Sequence, residues 1–206
     1  MRKNKWHEAF KLATGSRAAL LLSTILFLSG SSAGVFLELA MNSSEKQLAA
    51  QFLRSFLAAG GNSAPNPFEI LASGIELNLF LLAMMMLAGL SAIGFPAAHL
   101  IVLYKGMAIG FSASLILETS AARGIPALLF SMLPQNLLLI PAFLLAAAAS
   151  QNYASALLSD RRRGYQKNGR AGTPGFDRYL MIYFILATAA VLSCFVSAGL
   201  FPLLRA

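Results

Sequence analysis

The sequence predicts an all-α, polytopic membrane protein in which a single domain forms a bundle of about five transmembrane helices. Three properties of the chain support this prediction: 57% of its residues are hydrophobic, only 12% are charged, and its mean hydropathy is +0.67. Soluble domains carry about 25% charged residues. The large apolar fraction of this chain is therefore better explained by contact with lipid. We therefore expect one polytopic membrane domain over residues 1–206.

Five apolar runs are long enough to cross a bilayer, because a hydrocarbon core of about 30 Å needs roughly 20 apolar residues per helix. The first run contains small residues that would also suit a cleaved signal peptide, but its apolar pattern continues for several residues beyond them, so we expect a retained span. The predicted spans lie near residues 18–40, 75–94, 97–117, 125–148 and 179–203.

The basic residues predict the orientation of these spans. Of the 16 lysines and arginines, five precede the first span and six lie in the loop 149–178. The positive-inside rule places both segments in the cytoplasm, so we expect a cytoplasmic N-terminus and an external loop at 41–74. The net charge of +8 then reflects topology and contact with anionic lipid. No basic motif interleaved with aromatic residues accompanies it, so no nucleic-acid partner is predicted.

The two long loops differ in character. In loop 41–74, Ser44 and Gln47 have the spacing of a capping box, and apolar residues that include Phe52 and Phe56 follow at helical spacing. We expect a short amphipathic helix on the outer membrane surface, which either covers the bundle or docks an extracytoplasmic partner. The glycines of loop 149–178 predict a mobile, lipid-contacting hairpin.

Small residues mark the faces on which helices are expected to approach each other. Gly30 and Gly34 form one Gly-x-x-x-Gly pattern in the first span, and Gly106 and Gly110 form another in the third. Such patterns allow close backbone packing where no hydrophobic effect drives association. We interpret them as intramolecular packing faces, and they leave open whether the chain also forms a homo-oligomer.

The fourth span combines proline with polar residues. Pro134 and Pro141 each remove a backbone N–H donor, which frees carbonyl oxygens around Gln135 and Asn136. We therefore predict a broken fourth helix. Lys105, in the middle of the third span, is a candidate partner for this polar region, because a lysine inside a span is costly unless it is paired or reaches water.

The position of Lys105 in the third span allows three interpretations of its role. The side chain could extend towards the membrane surface, it could hydrogen-bond with Gln135 and Asn136 to specify the bundle, or it could line a polar translocation path. The third interpretation makes the chain a permease or a channel subunit with a polar site at the membrane midplane.

Catalytic chemistry is poorly represented in the sequence. His7 and His99 are the only histidines, and no spacing resembles a metal site. His99 and Ser112 lie about 20 Å apart along one predicted helix, so they cannot form a catalytic pair. Cys194 is the only cysteine, so no disulfide framework exists. We expect no enzymatic activity, no catalytic residue, no metal site and no cofactor.

Several motifs resemble the stage II sporulation protein M family over nearly the whole chain. They are the basic N-terminus with its first span, Gly94-Phe95-Pro96 with the run Leu103-Tyr104-Lys105-Gly106-Met107-Ala108-Ile109-Gly110-Phe111, and the run Leu133-Pro134-Gln135-Asn136-Leu137-Leu138-Leu139-Ile140-Pro141-Ala142-Phe143. Relatives outside sporulation tend to have His-Gly after the first proline and Glu before the second. This chain has Gln135-Asn136 and Leu139 at those places, which resembles the sporulation branch.

The resemblance implies a non-enzymatic membrane subunit of the engulfment machinery in endospore-forming bacteria. It implies a location in the cell membrane, at the sporulation septum and the engulfing membrane. It also implies two extracytoplasmic partners, stage II sporulation proteins D and P, which remodel peptidoglycan. On this basis the expected function is a scaffold that recruits and anchors these partners, with Phe52 and Phe56 as candidate docking residues.

Overall fold

The computed structural model of the chain is a bundle of long helices. It describes the backbone of residues 10–58, 67–91, 94–120, 132–166 and 175–200, and the side chains within 10–51, 71–91, 94–118, 132–159 and 175–196. No strand occurs in the described residues, and the predicted all-α fold class is confirmed. Residues 10–14 are helical, and the longer helices are α1 (Arg17–Leu39), α2 (Ser43–Ala58), α3 (Pro67–Leu90), α4 (Phe95–Ser120), α5 (Leu133–Gln166) and α6 (Phe176–Leu200).

Five of these helices are long and apolar enough to cross a membrane, as predicted. The exception is α2, which has 16 residues and is much more polar. The spans are Arg17–Leu39, Leu71–Leu90, Phe95–Glu118, Leu133–Ser159 and Phe176–Val196.

The helices α1 and α4 run parallel, since Ser23 lies beside His99 near their first turns and Ser114 donates to Glu38 near their last turns. The helices α3 and α5 run the opposite way, and α6 runs with α1 and α4. We call the end of the bundle at which α1 finishes the Lys46 end, and the end at which α1 begins the Arg17 end. The buried core lies mainly among α3, α5 and α6, and its largest members are Tyr179, Phe143, Met85, Leu139 and Ile182.

Capping residues fix where the first two helices begin. Ser16 precedes α1, and its side chain accepts a hydrogen bond from the backbone N–H of Ala19. For α2, the N–H of Asn42 donates to Glu45 Oε2 at 3.4 Å, and the carbonyl of Asn42 accepts from the N–H of Lys46. The side chain that caps α2 is therefore that of Glu45, which accepts from Asn42, and these two residues lie two positions before the predicted pair Ser44 and Gln47.

The helix α5 differs from its prediction in two ways. It is continuous from Leu133 to Gln166 and contains Pro141, so the predicted break is absent. Pro134 lies in the first turn, where its missing N–H has no intrahelical partner to lose. Core packing holds the helix on both sides of Pro141, because Leu139, Ala142 and Phe143 are buried. The helix also continues through residues 149–166, which were predicted to belong to a mobile loop.

Candidate functional site

The ammonium group of Lys105 lies inside the bundle near the middle of α4. Its Nζ donates a hydrogen bond to Asn78 Oδ1 of α3 at 2.7 Å and lies 5.4 Å from the centre of the Phe143 ring of α5. The amide supplies a hydrogen-bond acceptor, and the ring face adds a cation–π attraction. Among the described side chains no carboxylate pairs with Lys105, and the two groups that contact its ammonium are neutral.

Two amides and one thiol continue this polar path towards the Lys46 end. The Asn78 amide lies 3.6 Å from Cys194 Sγ, and the Gln135 amide lies 3.8 Å from the same sulfur. We call Lys105, Asn78, Cys194 and Gln135 the Lys105 chain. Sulfur is a weak acceptor, so the two contacts with Cys194 are weak. The Lys105 chain therefore has more hydrogen-bond donors than strong acceptors.

The other residues predicted for this region have separate roles. Asn136 donates from its side chain to the carbonyl of Met132 at 2.9 Å, within its own helix. Pro134 is half-buried and Pro141 is exposed on the surface of α5. The structure therefore brings Gln135 into the Lys105 chain through Cys194 and leaves Asn136 outside it. It adds Asn78, which is 2% exposed and was missed, although a lone asparagine in an apolar run was a usable signal.

The four predicted packing glycines meet at one crossing between α1 and α4. A Cβ added at Gly30 would overlap the carbonyl oxygen of Leu103, and one at Gly34 would overlap that of Met107. From the other side, a Cβ at Gly106 would overlap the carbonyl of Phe27, and one at Gly110 that of Ser31. The two backbones are therefore in direct contact, and no larger residue fits at these positions without separating the helices.

An ionic cluster joins α2 to this helix pair at the Lys46 end. Lys46 Nζ lies 3.3 Å from Glu38 Oε1 of α1 and 2.7 Å from Glu118 Oε2 of α4. Ser114 donates to Glu38 Oε2 at 2.7 Å. We call Lys46, Glu38, Glu118 and Ser114 the Lys46 clamp. Glu38 is fully buried whereas the Glu118 side chain is 52% exposed, so Glu38 is the member that most needs its partners.

The clamp also affects protonation outside the membrane. The pKa of Lys46 is raised above its ordinary value of 10.5, mainly by the hydrogen bond to Glu118. Burial opposes this increase, and the hydrogen bond to Glu38 adds to it. Because the folded-state pKa is raised, the stabilisation is fully present below pH 10.5 and is lost as the pH rises through the higher folded value. Lys46 therefore stays charged throughout the physiological pH range.

Hydroxyl groups hold the bundle together at the Arg17 end. Ser150 of α5 lies 2.8 Å from the carbonyl of Met85 and 2.6 Å from the Tyr183 hydroxyl, which lies 2.9 Å from the carbonyl of Ala146. Tyr179 donates to the carbonyl of Met86 at 2.8 Å. These bonds join α3, α5 and α6 and satisfy polar groups in a buried region, which is a structural role.

His99, a candidate for catalysis by residue type alone, also has structural contacts. Its Nδ1 lies 3.1 Å from the carbonyl of Phe95, and its Nε2 lies 3.4 Å from the Ser23 hydroxyl. Because a carbonyl only accepts, Nδ1 carries the proton of that bond. Within the described residues, no group of three His, Cys, Asp or Glu side chains is arranged to hold a metal ion.

The candidate docking residues Phe52 and Phe56 lie outside the described side chains. Leu48 precedes them by one and two helical turns, so the three share a face of α2 by spacing. The Leu48 side chain is 67% exposed. The apolar face of α2 therefore includes a residue, Leu48, that does not pack into the bundle.

Residues 23–198 match the family model of stage II sporulation protein M, which covers most of the chain. Neither the curated proteins nor the solved structures gave a match. The match and the five apolar helices agree with a sporulation-related, multi-pass membrane protein. The chain therefore belongs to the stage II sporulation protein M family.

Proposed function

We propose that this protein is a non-enzymatic membrane scaffold of the engulfment machinery, which recruits and anchors extracytoplasmic partners that remodel peptidoglycan. The observation that carries the proposal is the attachment of α2: an amphipathic helix outside the spans is held by the Lys46 clamp to two transmembrane helices at once. Such a clamp gives a surface helix a defined orientation, which a docking surface requires.

The proposal includes a location and an orientation. By family resemblance the partners are stage II sporulation proteins D and P, and the site of action is the septum and then the engulfing membrane. The distribution of basic residues favours a cytoplasmic N-terminus and an external Lys46 end. In this orientation α2 lies on the side where peptidoglycan is found.

Recruitment is tested with polar substitutions on one face of α2. We expect Leu48→Ser, Phe52→Ser and Phe56→Ser together to reduce the localisation of fluorescent partners D and P at the septum, because the apolar face is lost. Membrane insertion should persist, since no span is changed. The measurement is fluorescence microscopy of sporulating cells, with membrane fractionation to confirm protein levels.

Gln47→Ser is the matched control, because it changes an exposed polar residue of the same helix. It should leave partner localisation unchanged. Normal localisation in the triple variant, at normal protein levels, would return α2 to a purely structural role and count against its use as a docking surface.

The second candidate function is a permease or channel subunit, and the Lys105 chain is the observation that favours it. A buried cation followed by amides towards one end of the bundle is an arrangement found in polar pathways. The scaffold proposal treats the same residues as links between helices. The two functions make different predictions for Lys105→Met.

On the scaffold proposal, Lys105→Met should leave engulfment largely intact. The variant removes a costly, partly buried cation but leaves the buried Asn78 Oδ1 without its donor, and these effects partly cancel. Interhelical hydrogen bonds in membranes average about 0.6 kcal/mol, so the protein should accumulate at near-normal levels. Engulfment is scored by membrane-dye microscopy. A correctly localised, full-level variant that fails to support engulfment would favour the permease instead, because permeation depends on the pathway charge.

A further inference from the structure

The membrane-facing side of α3 carries a carboxylate. Glu76 is exposed and makes no hydrogen bond or ion pair that the described residues show. It lies nine residues after Pro67, the first residue of α3, which corresponds to about 14 Å along the helix, and it lies two residues before Asn78, the partner of Lys105. A carboxylate at this depth on a lipid-facing surface is costly unless a partner neutralises it or donates to it.

Glu76 belongs to a regular stripe along α3. Moving from the Lys46 end, Leu79, Ala83, Met86 and Leu90 follow it at alternating spacings of three and four residues. This is the spacing with which one helix packs along another, and the small Ala83 at its centre allows close approach. The neighbouring positions Phe80, Met84 and Leu87 are 60%, 45% and 57% exposed, so no other described helix covers this face.

An apolar groove between α3 and α6 lies along the same stripe. Its volume is about 320 Å³, and its walls include Leu79, Ala83 and Met86 of α3 with Leu180, Phe184 and Ala187 of α6. Phe184 is 74% exposed at its rim. The surface thus combines a groove that can receive apolar side chains with one acidic group nearer the Lys46 end.

The negative charge of Glu76 indicates which kind of molecule binds this face of α3 and α6. The basic side chains described are Lys11, Arg17, Lys46, Lys105 and Arg178. Lys46 is already paired with Glu38 and Glu118, and Lys11 precedes α1 at the Arg17 end. Lys105 is directed to Asn78 inside the bundle, and the two arginines lie at the opposite end from Glu76. A second copy of this chain therefore offers no described cation at the depth of Glu76, and lipid tails offer none at all.

We propose that this face of α3 and α6 binds a transmembrane helix of a different protein, and that this helix carries a lysine or arginine at the depth of Glu76, about two residues from the level of Asn78. Glu76 pairs with that cation, while the groove receives the apolar side chains of the partner. The inference rests on the scaffold proposal for the existence of a membrane partner, and on the structure for the place and chemistry of the site.

The test uses the full-length protein in phosphatidylcholine nanodiscs and two synthetic leucine-alanine transmembrane peptides. One peptide carries a single lysine about two turns from one end, and the other has leucine at that position. A photocrosslinking amino acid replaces Phe80, one turn from Glu76 on the exposed face. Leu21 of α1, which is 63% exposed, provides a matched crosslinking control on another membrane-facing surface.

We expect the lysine peptide to crosslink at position 80 about three- to tenfold more than the leucine peptide, as a favourable interhelical polar contact implies. Glu76→Gln should abolish this preference without changing the denaturation midpoint, because Glu76 makes no described contact within the bundle. Position 21 should show no preference. The partners D and P are absent from this test, so its failure is distinguishable from failure of the recruitment experiment.

Three results would overturn the proposal. The first is equal crosslinking of the two peptides at position 80, and the second is a lysine preference that survives Glu76→Gln. The third is crosslinking between two copies of this chain at position 80 without peptide, which would assign the face to a homo-oligomer. Crosslinking to lipid alone gives equal values for the two peptides and so falls under the first result.

Discussion

Gly34→Ala is expected to destabilise the protein by about 1–3 kcal/mol, although it adds only one methyl group. The new Cβ would overlap the carbonyl oxygen of Met107 and lie 2.8 Å from the backbone nitrogen of Phe111. Both obstacles are backbone atoms, so no side-chain rotation can relieve them and α1 must move away from α4. The measurement is the midpoint of denaturation of the purified protein in detergent micelles.

Gly74→Ala is the matched control, because it makes the same change in another transmembrane helix. The nearest atom to its added Cβ is Cys194 Sγ at 3.6 Å, which is an ordinary contact. Alanine favours helix formation over glycine by about 0.8–1.0 kcal/mol, so this variant should be neutral or slightly stabilised. Equal midpoints for the two variants would contradict the close backbone packing of α1 against α4.

Lys46→Met is expected to produce the second large effect. The substitution removes the cation from the clamp and leaves the Glu38 carboxylate fully buried, with the Ser114 hydroxyl as its remaining donor among the described side chains. An uncompensated buried charge is strongly destabilising, whereas an exposed ion pair contributes little. We therefore expect a fall in the denaturation midpoint several times larger than that caused by Glu118→Gln.

A second substitution separates charge from packing in this result. In Lys46→Met with Glu38→Gln the buried group is neutral, so most of the lost stability should return. Limited proteolysis within α2 adds an independent measurement, since release of α2 from the bundle should speed its cleavage in Lys46→Met. A double variant as unstable as Lys46→Met would mean that the lysine acts through packing and not through its charge.

The fold class was predictable because hydropathy reports burial in lipid directly, and the chain has five runs of sufficient length. The helix ends were less predictable, since they depend on local competition among caps. Asn42 and Ser44 are both plausible N-cap residues for α2, and the carboxylate of Glu45, three residues later, accepts from the Asn42 N–H and favours Asn42. The predicted break at Pro141 was wrong because burial of Leu139, Ala142 and Phe143 outweighs one missing hydrogen bond.

The partners of the polar residues could not be predicted from sequence. Hydropathy gives the depth of Lys105 in the membrane, but its direction around the helix depends on how five helices are arranged. The sequence suggested α5 as the partner helix, whereas the hydrogen bond is made to Asn78 of α3. Glu38 was visible as an acid at the end of the first span, but nothing local indicated that Lys46 and Ser114 would surround it.

The parallel pairing of α1 with α4 has a consequence for biogenesis. Contacting residues of the two helices, such as Ser23 and His99 or Glu38 and Ser114, are 76 positions apart. The ribosome must therefore synthesise α2 and all of α3 before the glycine-lined face of α1 can meet its partner. Until then, the glycine-lined face of α1 is in contact with lipid or with a membrane chaperone beside the translocon. Co-translational assembly of this protein is thus expected to depend on when α4 emerges, and slowing translation just before α4 should prolong the lifetime of an insertion intermediate sensitive to membrane proteases.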